Sequence, residues 1–188
     1  MKKMVLLLLA MAACLAAAVT GTLAYFTADG TATNVITAAN LHIALRESMV
    51  STVGEELVAF ESRDGVCPGE TVSKIVQVTN TGAQPAYIRV AVSKAITLTA
   101  GIDAAPDMAL ISLDTDTARW TERDGYWYYR TPLLPGETSA PLFTGVHIAE
   151  EMGNDYRNCR VTVTVRAEAT QVVHNGEDAV SAAGWPTA

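Results

Sequence analysis

Arg160-Val161-Thr162-Val163-Thr164-Val165-Arg166-Ala167-Glu168-Ala169-Thr170 alternates apolar and polar residues without a break. Val161, Val163, Val165 and Ala167 fall on one face, and Thr162, Thr164, Arg166 and Glu168 fall on the other. A period of two with β-branched residues is the pattern of a half-buried strand, because successive side chains point to opposite faces. The pattern recurs upstream. Residues 41–45 put Leu41, Ile43 and Leu45 on one face, and residues 87–93 put Ile88, Val90 and Val92 inward and Arg89 outward. Residues 71–79 carry Val72, Val76 and Val78 on one face, with Lys74 breaking the series.

The turns agree with this reading. Asp124-Gly125 separates Trp120-Thr121-Glu122-Arg123 from Tyr126-Trp127-Tyr128-Tyr129-Arg130 and predicts a two-residue hairpin, whose turn positions both need positive φ. Pro-Gly-Glu-Thr occurs twice, at 68–71 and 135–138, each time ahead of a candidate strand. Pro presets φ at the first turn position and Gly tolerates positive φ at the second, so both read as type II turns. Residues 99–118 read as a long connection with one short strand at 108–113. The tail reads as a short helix over 177–183, stopped by Gly184 and Pro186, with Trp185 docking on the β body. Many short strands with such turns predict an all-β fold, a jelly-roll-like antiparallel β-sandwich.

The first residues do not belong to that fold. Lys2 and Lys3 precede an apolar run from Met4 to Val19, followed by Thr20-Gly21-Thr22-Leu23-Ala24. The run makes roughly 24 Å of helix, short of a hydrocarbon core of about 30 Å. A charged start, a short apolar stretch and small residues describe a secretory signal peptide, whose rival is an uncleaved anchor. Thr22 and Ala24 are small enough for a signal peptidase's subsites, so cleavage is expected between Ala24 and Tyr25. The expected organisation is a signal peptide at 1–24, an extended segment at 25–40 and a β-sandwich at 41–188. No stable membrane span is expected in the mature form.

Composition narrows the function classes. Of 188 residues 49% are hydrophobic and 18% charged, which is too apolar for a disordered chain. The formal charge is −7, and both leader charges are basic, so the mature chain is more acidic still. Nucleic acid is therefore not an expected partner. His42, His147 and His174 are widely spaced, with no His-Glu-x-x-His pair. Asp114-Thr115-Asp116 lacks the Gly and distal Glu of an EF-hand loop and reads as solvated charge. There is no Gly-x-Ser-x-Gly elbow and no phosphate loop. No catalytic residue, cofactor or metal ligand is assigned.

Two pairs of residues remain as candidates. Cys67 and Cys159 both lie in the exported part, where a disulfide can persist. The competing reading is a buried thiol, since Cys159 shares the parity of Val161, Val163 and Val165. Trp120 and Trp127, with the tyrosines beside them, could offer a surface aromatic contact for a glycan; the competing reading is sandwich core plus an edge.

The order of several short motifs is similar to that of the TasA/camelysin family of exported bacterial proteins. They are Gly21-Thr22-Leu23-Ala24-Tyr25-Phe26-Thr27, Asn34-Val35-Ile36-Thr37-Ala38 and Leu41-His42-Ile43, then Cys67-Pro68-Gly69-Glu70 and Val78-Thr79-Asn80-Thr81-Gly82. The series continues through Ala86-Tyr87-Ile88-Arg89-Val90, the Trp120 to Tyr129 block, Leu134-Pro135-Gly136-Glu137-Thr138 and Val165-Arg166-Ala167-Glu168-Ala169-Thr170-Gln171. The resemblance implies processing after Ala24 by a SipW-type signal peptidase, a jelly roll, and a place in biofilm-matrix or cell-surface fibres. Its partners would be that peptidase during export, and then copies of itself or related fibre subunits. The family also implies a camelysin-type zinc endopeptidase as an alternative, and the aromatic hairpin suggests a glycan-binding module. The expected function is structural: a secreted fibre subunit or accessory, joined to its neighbour when residues 25–39 add as a strand; the competing reading folds that segment back onto the edge of its own domain.

Overall fold

The computed structural model describes residues 33–34, 41–51, 54, 56–63, 66–101 and 105–186. The leader, the Ala24–Tyr25 cut and the 25–40 segment apart from Thr33 and Asn34 lie outside the described residues. The strands in chain order are β1 (Thr33–Asn34), β2 (Ile43–Val50), β3 (Leu57–Ala59), β4 (Thr71–Ser73), β5 (Ile75–Asn80) and β6 (Ala86–Thr97). They continue with β7 (Ile111–Leu113), β8 (Trp120–Arg123), β9 (Tyr126–Tyr129), β10 (Gly145–Ile148) and β11 (Arg160–Gln171). The described residues are all-β, with short 3-10 turns at Met108–Leu110 and Asn154–Tyr156.

Three sheets result, in the orders β1-β11-β6-β9-β8, β4-β10-β7 and β3-β2-β5. All pairings are antiparallel except that of β1 with β11, which is parallel. The long ladder runs from Arg160 opposite Thr97 to Gln171 opposite Ala86. The β8–β9 hairpin closes through Asp124 at φ 52° and Gly125 at φ 78°, the two positive values that its turn requires.

The 71–79 stretch is not one strand. β4 pairs with β10, whereas β5 pairs with β2, so the chain changes sheets at Lys74. There the Lys74 amide donates to the Thr144 carbonyl at 2.9 Å and the Val76 amide to Phe143 at 3.1 Å. The Lys74 ammonium is buried, 2.8 Å from Glu47 Oε1 and 3.8 Å from the centre of the Phe60 ring. Residues 108–113 likewise divide into a 3-10 turn and β7. Lys94 ties that region to β6, donating from Nζ to Ile111 O at 2.6 Å and to Met108 O at 3.2 Å.

The repeated Pro-Gly-Glu turns share one geometry. Gly69 and Gly136 both have φ 82°. In each turn the Glu amide donates to the carbonyl three residues back, Glu70 to Cys67 at 3.1 Å and Glu137 to Leu134 at 3.0 Å. In each the Glu carboxylate also accepts from that residue's amide, at 3.1 Å and 2.9 Å respectively. The second turn leads into a segment that covers the outer edge of β5, with Ser139 donating to Val78 O and Leu142 to Val76 O, both at 2.8 Å. Asn80 joins these parts from a fully buried position. Its Nδ2 donates to Gln84 O at 2.8 Å and Leu133 O at 2.9 Å, and its Oδ1 accepts from the Gly82 amide at 2.9 Å.

One core receives apolar side chains from all three sheets, including Val76, Val78, Ile88, Val90, Ile111, Trp120, Leu142, Phe143, Val146 and Val165. Each such side chain contributes about 1.5–3 kcal/mol through burial. A second, smaller cluster holds Tyr87, Tyr128, Ala179 and Ala182, with Trp185 packed against it. It forms because the C-terminal residues 172–186 lie over the other face of the five-stranded sheet. Residues 177–183 make turns rather than the expected helix. Seven residues are too few for a helix to stand without tertiary support, and the contacts available here favour turns. Among the described residues no helix is long and apolar enough to cross a membrane.

Candidate functional site

The face covered by the C-terminal segment carries the most concentrated chemistry of the described residues. Register places Glu168, Arg89, Tyr128 and Thr121 in one row across β11, β6, β9 and β8. A second row places Arg166, Ala91, Tyr126 and Arg123 beside it. Arg89 is therefore not solvent-facing as its outward position suggested; its side chain is 11% exposed and that of Glu168 is 1% exposed. Arg89 Nε donates to Glu168 Oε2 at 2.7 Å, and Nη2 lies 2.6 Å from the same oxygen. Arg166 Nη1 lies 2.9 Å from the other oxygen, and Arg166 Nη2 donates to the Tyr126 hydroxyl at 2.8 Å.

Aromatic rings complete the enclosure. The Arg89 guanidinium carbon lies 3.9 Å from the Tyr126 ring centre and 4.7 Å from that of Trp185. Trp185 meets Tyr128 edge-on at 5.7 Å, and Arg89 Nη2 donates to the Pro186 carbonyl at 3.2 Å. Burial opposes the charge on Arg89. Hydrogen bonds to Tyr128 and Glu168, with the charges of both, outweigh it and hold the guanidinium above its ordinary value. Arg89 satisfies Glu168 Oε2, whereas the buried Oε1 has the Arg166 ion pair but no hydrogen bond. The arrangement fastens the C-terminal segment to the sheet.

The same sheet carries the first described residues of the chain on its edge. Thr33 lies opposite Arg166 and Asn34 opposite Ala167, parallel to β11. Arg166 is thus a register partner of the N-terminal strand through its backbone and a partner of Glu168 through its side chain.

The aromatic candidates are placed differently from the surface-contact expectation. Trp120 is 1% exposed, donates from Nε1 to Ala140 O at 3.3 Å and lies 4.9 Å from the Tyr129 ring. Trp127 is half-buried and packs against the main core. The alternation of β9 sends Trp127 and Tyr129 inward and leaves Tyr126 and Tyr128 for the opposite face, so the tyrosines are the outer aromatics. A shallow cleft of about 170 Å³ lies between this hairpin and the C-terminal segment, lined in part by Tyr128, Tyr129, Arg130 and Asp178.

The two candidate cysteines lie in different surroundings. Cys159 is a free thiol, half-buried against the core, and its burial pushes the thiol up from its ordinary value. Cys67 sits at the exposed start of the first Pro-Gly turn.

The acids of 114–116 are structural. Asp114 accepts from the Thr144 and Gly145 amides at 2.7 Å and from the Thr144 hydroxyl. Asp116 accepts from the Ala118 amide at 3.0 Å and pairs with Arg119 at 2.8 Å. His147 shares a hydrogen bond with Thr71 Oγ1 at 3.1 Å. Among the described residues no three His, Cys, Asp or Glu side chains gather as a metal site would require.

No family model, curated protein or solved structure matches this chain.

Proposed function

We propose that this chain is an exported structural protein, a subunit or accessory of extracellular fibres of the TasA/camelysin kind, built as a jelly-roll-like β-sandwich. The observation that carries the reading is that the edge of β11 accepts an extended segment, here Thr33 and Asn34 of the same chain, in the way it would accept a neighbour's. An edge strand offers unpaired amides and carbonyls, and an incoming extended segment satisfies them whether it comes from the same chain or a neighbour. The 25–39 segment spans up to about 50 Å when extended, enough to reach an adjacent subunit. The leader pattern and the all-β body support the same reading. SipW-type processing after Ala24 would release the segment, and copies of the chain or related subunits would then receive it.

Electron microscopy of the purified protein beginning at Tyr25 tests the proposal, with intact mass fixing that start. Polymers are expected from this protein, and a folded β-rich monomer from a version lacking residues 25–39. Polymers from the truncated form, or a full-length mature form that stays monomeric at high concentration, would overturn it. Zinc-dependent cleavage of casein by the purified protein would move the assignment to a camelysin-type peptidase.

A further inference from the structure

We infer that the two ends of the chain are coupled through β11: docking of the C-terminal strap, residues 172–186, holds the edge on which the N-terminal strand pairs. The inference rests on the proposed strand addition and concerns its control.

The strap has its own set of fastenings. Asn175 Nδ2 donates to Thr170 Oγ1 at 2.6 Å and to Gln171 O at 2.9 Å, pinning the turn where the chain leaves β11. Thr170 Oγ1 donates to Ala183 O and Gly184 O, each at 3.3 Å. Gly184 has φ 73°, and a Cβ there would lie 3.3 Å from Thr170 Oγ1, so this close approach needs glycine. Trp185 and the Pro186 carbonyl then close over Arg89.

What lies beneath is shared with the other end of the chain. Arg89 holds one oxygen of Glu168 and Arg166 the other. Arg166 and Ala167 are the two residues that pair with Thr33 and Asn34. With the strap in place Glu168 is 1% exposed and clamped between Arg89 and the partly exposed Arg166. With the strap off, Arg89 loses an aromatic face and a carbonyl, water reaches Glu168, and β11 loosens at those positions. A ladder of two register pairs has few hydrogen bonds to offset the ordering of its strand, so it depends on a rigid acceptor. The two-state element is the strap, docked or released, and linkage makes the effect reciprocal.

Backbone hydrogen exchange on the full chain, kept monomeric at low concentration, tests this with Trp185→Ala and Trp185→Phe. Trp185→Ala should speed exchange at least tenfold at Thr33, Asn34 and 166–168, with Val76–Asn80 unchanged. Trp185→Phe should restore most of the protection. Unchanged exchange at Thr33 and Asn34 while 176–184 lose protection would overturn the coupling. Equal acceleration at Val76–Asn80 would also overturn it, as a global loss of stability. The measurement needs no polymer, so failure of the coupling and failure of fibre formation are read separately.

Discussion

Glu168 accepts from Arg89 at 2.7 Å in a place where the carboxylate side chain is 1% exposed and the guanidinium lies between the Tyr126 and Trp185 rings. Removing Arg89 leaves the buried Glu168 with only the partly exposed Arg166 against its charge. Arg89→Met should therefore cost about 3–5 kcal/mol in urea unfolding. Arg89→Met combined with Glu168→Leu should lie closer to the unsubstituted protein than Arg89→Met alone, because the stranded charge is gone. A double variant less stable than both singles would contradict this account.

Asn80→Ala should be among the costliest substitutions of a polar residue. It strands the carbonyl of Gln84 and the amide of Gly82, while the Leu133 carbonyl keeps the Ala86 amide as a donor. At about 1 kcal/mol for each of these two groups the loss is about 2 kcal/mol. Thermal unfolding would read it, and a change below 1 kcal/mol would mean that water replaces the side chain.

Asp114 gives the fold an acid-sensitive joint. Its partial burial works against ionisation, but the Thr144 hydroxyl and the Gly145 and Thr144 amides outweigh this and hold its carboxyl below the usual aspartate value. A folded-state value below the unfolded one means that the unfolded chain binds more protons, so the contribution disappears as pH falls. It is complete above about pH 5, declines below about 3.9 and is gone once the folded carboxyl is protonated. Asp114→Asn should thus be less stable than the unsubstituted protein at neutral pH, and the gap should close in acid. A gap independent of pH would show that the carboxylate charge plays no part.

Cys159 should resist alkylation in the native protein and react promptly in denaturant, since it packs against the core and burial disfavours its thiolate. Peptide mapping after iodoacetamide treatment distinguishes the two conditions. Equal labelling in both would place the thiol at the surface.

The sequence was legible where structure is local. The alternation at 160–170 and the Asp124-Gly125 turn are short-range instructions, and both elements formed where they were read. Lys74 was half legible: a charge in an apolar series marks a break, but that the chain changes sheets there depends on Phe143 and Thr144, far away in sequence. The site was legible least. Arg89 lies on the face that alternation assigns to water, and only a segment nearly a hundred residues later covers it. For Trp120 and Trp127 the sequence leaves both a core and a surface-contact reading, because composition does not say which face of a hairpin meets the core; the structure takes the core reading. Nor does it say that Ala179 and Ala182 would trade a helix for contact with Tyr87 and Tyr128.

Beyond residue 24 the sequence has two lysines, and both are committed. Lys74 is buried against Glu47 and Phe60, while the ammonium of Lys94 is held by two carbonyls. The remaining cations of the folded body are arginines, whose guanidinium groups do not acylate under ordinary conditions. Lys74 would have to leave its sheet junction before enzymes or reagents that join proteins through lysine amides could reach it, whereas Lys94 is exposed on β6. Lysine-directed bonds between neighbouring copies would therefore concentrate at Lys94, in competition with its hydrogen bonds to the turn before β7.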